Sequence, residues 1–100
     1  MNTLISTNLT QIKALMKSYG IVSAYLFGSA ATDSMVEIND VDFLIRFDPE
    51  LTYTEYGNNY FELMYALQDL LHKDVELVAE DTISNPYLLQ KINSQKIAVV

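Results

Sequence analysis

The chain has 100 residues, thirteen acidic against six basic side chains, and a formal net charge of −7. There is no cysteine and only one histidine, which excludes a disulfide scaffold, a thiolate zinc site, a cysteine nucleophile and a multi-histidine metal cage. The acidic balance repels phosphate backbones, so direct nucleic-acid binding is not expected.

The length sets one domain over 1–100, large enough to bury a core unaided. Half of the residues are apolar, an ordinary globular composition. No basic start leads into an apolar run of signal-peptide length, and no stretch approaches the ~18 consecutive apolar residues of a membrane span. A soluble cytoplasmic protein that uses no membrane is the expectation.

In chain order, Leu9, Ile12, Met16 and Tyr19 recur at helical spacing, with Thr7 or Asn8 as cap and Gly20 at the C-terminal glycine position. Ile21 to Phe27 is an apolar, β-rich run cut off at Gly28-Ser29. Ser29 to Met35 predicts a short helix and Glu37 to Asn39 a loop. Val41 to Phe47 reads as a second strand ended by Asp48-Pro49. The polar, tyrosine-bearing segment Glu50 to Asn59 reads as a loop. From Tyr60, the residues Leu63, Met64, Leu67, Leu70 and Leu71 keep helical period. Asn59 and Glu62 resemble a capping box, and His72 and Lys73 occupy the last turn. Val75 to Val78 is a third strand, Asn85-Pro86 opens another helix, and Ile97 to Val100 reads as a last edge strand. The order is that of an α/β (α+β) two-layer fold, a small mixed sheet flanked by helices.

The chemistry concentrates between Gly28 and Asp42. Gly28-Ser29 ends the first strand, ten residues follow, and Asp40-Val41-Asp42 enters the second. Residues two apart on a strand share a face, so Asp40 and Asp42 point together. Carboxylates that close repel unless a cation lies between them, and hard oxygen ligands of this kind suit Mg²⁺. Gly28 lets a phosphate approach the backbone, Ser29 offers a hydroxyl, and a helix start beyond it offers N–H groups. Either motif alone is common; both at this spacing describe a metal–nucleoside triphosphate site.

With an apolar strand before each half, Gly28-Ser29, ten residues and Asp40-x-Asp42 resemble the polymerase-β-type nucleotidyltransferase signature. The chain resembles in particular the minimal nucleotidyltransferase (MNT) domains, antitoxin halves of bacterial HEPN/MNT toxin–antitoxin pairs. That resemblance implies the polymerase-β-type nucleotidyltransferase core and a Mg²⁺-dependent transferase acting on ATP. It implies that Asp40 and Asp42 hold two metal ions and that Gly28 and Ser29 cradle the triphosphate. The family's third carboxylate falls on Glu76, in Glu76-Leu77-Val78, which would bind a metal or accept the attacking hydroxyl's proton. Asp74 takes that place if the register slips by two. The implied partner is a HEPN toxin, neutralised by adenylylation of a tyrosine.

Two departures stand out. Family members often carry Ala-Arg-Gly shortly after Gly-Ser, where this chain reads Ala31-Thr32-Asp33. Glu76 in place of Asp lengthens the third ligand by one methylene, a misplacement of roughly 1 Å that can cost on the order of 10²-fold in rate. They support an alternative, an inactive or weak antitoxin that neutralises its partner by complex formation. A third reading is a transferase subunit acting on a small molecule. Tyr53, Tyr56, Tyr60 and Tyr65 concentrate rings with polar tips, a composition enriched at interfaces; Tyr60 reads better as packing on its own domain. A homo-oligomer is left open. Arg46 is expected to pair with a neighbouring acid, and Lys13 and Lys17 to form a solvated face.

Overall fold

The computed structural model describes residues 1–31 and 40–100. Two short helices, α1 (Thr3–Thr7) and α2 (Leu9–Ser18), lead into β1 (Ile21–Phe27), which ends in a 3₁₀ turn over Gly28–Ala31. β2 (Asp40–Phe47), α3 (Tyr53–Leu71) and β3 (Asp74–Ala79) follow, then a 3₁₀ turn at Glu80–Thr82, α4 (Pro86–Gln95) and β4 (Ile97–Ala98). The sheet order is β3-β2-β1-β4. β1 pairs antiparallel with both β2 and β4, whereas β2 and β3 are parallel. Parallel pairing needs a crossover, and α3 supplies it.

Alternation along the strands divides the sheet into two faces. Ala24 and Leu26 of β1, Val41, Phe43, Ile45 and Phe47 of β2, and Val75 and Leu77 of β3 are buried in one cluster. Ile5 of α1, Ile12 and Met16 of α2, and Leu63, Leu67 and Leu71 of α3 pack into the same cluster. Each Val, Leu, Ile, Phe or Met side chain so removed from water contributes about 1.5–3 kcal/mol. The opposite face carries Asp40, Asp42, Leu44 and Arg46, with Leu44 fully buried. Among the described residues no helix is long and apolar enough to cross a membrane.

Several boundaries differ from the sequence expectation. α1 was not foreseen. Asn2 caps it by accepting from Leu4 N–H, and Asn8 closes it by donating its side-chain amide to the Leu4 carbonyl. Asn8 precedes α2 but makes no side-chain cap bond there. The larger correction is α3, which begins at Tyr53 and takes in most of the expected loop. Its capping box is Thr52 with Glu55: Thr52 Oγ1 accepts from Glu55 N–H, and the Glu55 carboxylate accepts from Thr52 N–H. Hydrogen bonds to the carboxylate, first from the Thr52 backbone N–H and then from its side chain, hold the Glu55 carboxyl below its ordinary value. Asn59 caps nothing and instead donates to the Tyr19 carbonyl 40 residues away. His72 lies past the last turn, at the C-cap, in the left-handed conformation with φ 54°. The last strand is shorter than expected, Ile97–Ala98, although Val99 and Val100 still bond to Ala24. Gly20, at φ 84°, terminates α2 as expected. Of the expected Ser29–Met35 helix, Ser29–Ala31 forms part of the 3₁₀ turn; residues 32–35 and the 37–39 loop lie outside the described residues.

Candidate active site at the ends of three strands

β1 delivers Gly28 at its C-terminal end, while β2 and β3 begin with Asp40 and Asp74. Register then decides which side chains meet. Phe27 stands opposite Asp42 across the antiparallel pair. Asp42 stands beside Glu76, and Asp40 beside Asp74, across the parallel pair. The four acidic residues therefore form a two-by-two array on one sheet face. The expected register holds: Glu76, not Asp74, is the neighbour of Asp42.

Gly28 carries φ 72°, a left-handed backbone that favours glycine. A Cβ at this position would lie 2.8 Å from Asp42 Oδ2, so the absence of a side chain is what lets the turn lie against the carboxylate. The turn is also tied down from the N-terminus, because Asn2 N–H donates to the Ala30 carbonyl at 3.1 Å. Ala30 and Ala31 are buried behind it, leaving Ser29 exposed at the tip.

Asp42 is raised from the ordinary 3.8 to about 6. Burial is the largest cause, followed by the charge of Glu76, a hydrogen bond with that carboxyl, and the charge of Asp40. A proton shared between two carboxyls neutralises charge where a cation could do so instead. The donors are hard oxygens, so these residues fit a divalent metal. As they stand, no three acidic or histidine side chains among the described residues are gathered closely enough to hold an ion. Asp42 and Glu76 form the tight pair.

Arg46 pairs with Glu80 at 3.6 Å, as its sequence context suggested. Tyr60 O–H donates to the Leu77 carbonyl at 2.6 Å, so this tyrosine serves its own fold. Tyr56 packs its ring on Phe47 at 4.5 Å, while Tyr53 and Tyr65 are exposed. The Ala31-Thr32-Asp33 departure lies, beyond Ala31, outside the described residues. Sequence reading missed Lys91 and Gln95 of α4, which line a crevice with Gly28, Ser29 and Ala31. The available signal was the spacing of Leu88, Lys91, Ile92 and Gln95 on one face of α4.

Residues 10–100 match the family model of "Polymerase beta, Nucleotidyltransferase", and the chain belongs to that family. It is 34% identical over 87 residues to "Putative protein adenylyltransferase MJ1379" of Methanocaldococcus jannaschii, covering 87% of this chain and 85% of that protein. Its fold matches a solved structure described as "Structure of putative minimal nucleotidyltransferase", with TM-score 0.72, 26% identity, and coverage of 93% of this chain and 90% of the other. It also matches a chain from a tri-AMPylated Shewanella oneidensis HEPN toxin in complex with MNT antitoxin, with TM-score 0.67. There the identity is 23%, over 95% of this chain and 71% of the other, which shows the shared fold. The mixed four-stranded sheet with flanking helices is the minimal nucleotidyltransferase fold.

Proposed function

We propose that the chain transfers AMP from ATP to a hydroxyl on a partner protein, and that the partner is a HEPN-type toxin held in check by the modification. The observation that carries this reading is the corner where Asp42 meets Glu76 across β2 and β3 with Gly28 against it. The adenylyltransferase relative and the AMPylated toxin–antitoxin complex of like fold support the choice of nucleotide and partner. A cytoplasmic setting, where ATP is supplied, is part of the same proposal.

Asp40 and Asp42, with Glu76 beside them, would hold Mg²⁺. When bound, the metal supplies charge neutralisation for the attacking and leaving oxygens of an in-line displacement. Gly28 admits the phosphates to the backbone, and Ser29 offers a hydroxyl at the exposed tip of the turn. The acceptor oxygen attacks the α-phosphorus, the bond to pyrophosphate breaks, and Glu76 takes the proton of the attacking hydroxyl. Positioning and fixed charge supply most of the catalysis. The acceptor comes from outside the chain, and the exposed Tyr53, Phe61 and Tyr65 of α3 give a partner protein aromatic anchors.

One observation favours a second reading, neutralisation by binding alone: three carboxylates are not gathered among the described residues. Labelling separates the two. Purified protein is incubated with Mg²⁺, α-phosphate-labelled ATP and lysate of its own source, beside Asp42→Asn. A labelled protein band with wild type only supports transfer. No band, with a helical protein co-purifying with both versions, supports binding alone.

A further inference from the structure

The crevice beside the Gly28 turn has a wall that the acidic corner does not account for. It encloses about 500 Å³ between Gly28, Ser29 and Ala31 on one side and Lys91 and Gln95 of α4 on the other. A smaller adjoining hollow of about 170 Å³ is lined by Phe27, Gly28, Leu88, Lys91, Ile92 and Gln95. Lys91, Gln95 and Gly28 border both.

The placement of Lys91 follows from how α4 is built. Asn85 caps the helix by accepting from Tyr87 and Leu88 N–H, and Pro86 stands at its first position. Buried Ile92 anchors one face. Lys91 precedes that anchor and lies one turn beyond Leu88, so it borders the crevice while remaining solvent-exposed.

The other cations are engaged or placed elsewhere. Arg46 pairs with Glu80, and Lys96 lies 4.1 Å from the centre of the Tyr25 ring. Lys13 and Lys17 are exposed on α2, and Lys73 borders a separate crevice with His72 and Asp74. Lys91 has no carboxylate partner among the described residues. An exposed ammonium across a crevice from a glycine turn, beside a corner of carboxylates, is suited to a polyanion that also contacts that corner.

We infer that Lys91 binds the β- and γ-phosphates of the nucleotide, so that this chain distinguishes a triphosphate from a monophosphate through α4. The inference rests on the nucleotidyltransferase reading of the Asp42 corner. Lys91 offsets the negative charge that the triphosphate brings to a chain of net charge −7, and Gln95 offers an amide on the same wall.

The test is calorimetric titration with ATP and separately with AMP, in Mg²⁺, for wild type, Lys91→Ala, Lys91→Arg, Asp42→Asn and Lys13→Ala. A charge-assisted contact at an exposed position predicts about a 10-fold weaker ATP affinity in Lys91→Ala. The same variant should change AMP affinity by less than about 2-fold, and Lys91→Arg should restore most of the loss. Lys13→Ala should bind both nucleotides as wild type does. Equal losses for ATP and AMP in Lys91→Ala overturn the inference, because the residue then shapes the site without reading the phosphates. Unchanged ATP affinity in Lys91→Ala, with binding lost in Asp42→Asn, overturns it and leaves the nucleotidyltransferase reading standing. Failure of wild type to bind ATP overturns both.

Discussion

Gly28 approaches Asp42 so closely that any Cβ at that position would stand 2.8 Å from the aspartate's Oδ2, and its φ of 72° lies in the left-handed region. Two independent constraints, backbone conformation and contact with an acidic side chain, thus select glycine at one position. The turn and the carboxylate are a single unit.

Gly28→Ala should therefore destabilise the protein by about 1–2 kcal/mol from the left-handed conformation alone, with a further cost from displacing Asp42. A double-mutant cycle with Asp42→Ala separates the two, since removing the carboxylate relieves the contact and leaves the backbone penalty. Urea unfolding of the four proteins measures it. The expected result is a smaller cost of Gly28→Ala in the Asp42→Ala background.

The Asp42–Glu76 pair should mark the pH dependence of stability. Asp42 binds its proton up to about pH 6 when folded, against an ordinary value of 3.8. Between those values the folded state holds more protons than the unfolded one, so this group's contribution weakens as pH rises through the window and levels off above it. Asp42→Asn removes the charge while keeping the shape. At pH 7 without metal it should be more stable than wild type by about 1 kcal/mol, a figure reduced for solvent screening of a partly exposed group. Near pH 4 the two should converge. Thermal unfolding from pH 4 to 8 reads the difference.

Gly57 offers a contrasting glycine. It sits inside α3, and a Cβ there would meet no heavy atom within 4 Å. Gly57→Ala should stabilise the helix by about 0.5–1 kcal/mol, or roughly 2–8 °C in Tm. Scanning calorimetry checks it.

That same helix shows where sequence reasoning stopped short. Thr52 and Glu55 already spelled the capping box, but Tyr53, Gly57 and Asn58 dilute the helical signal of the first turns. Asn59 and Glu62 then offered the same spacing closer to the leucine-rich part. Tertiary contacts decided: Tyr56 packs on Phe47, Tyr60 bonds to Leu77, and Asn59 reaches Tyr19. None of these partners is local in sequence. The strands and the Gly28, Asp40 and Asp42 cluster were legible because each depends on spacing within one or two elements. The pairing of Glu76 with Asp42 depends on parallel register, and the position of Lys91 depends on how α4 docks beside the Gly28 turn. Both relations belong to the assembled fold.

The proposed role of the Gly28, Asp40, Asp42 and Glu76 corner is to take a metal–nucleoside triphosphate. Its most direct test is thermal unfolding of wild type and Asp42→Asn at pH 7, each alone and with Mg²⁺ and ATP together. Ligand at about 100 times its Kd adds about 2.7 kcal/mol of stability, which for a chain this size raises Tm by roughly 10 °C or more. That rise is expected in wild type, and its loss in Asp42→Asn. No rise in wild type, or an equal rise in both proteins, would contradict it.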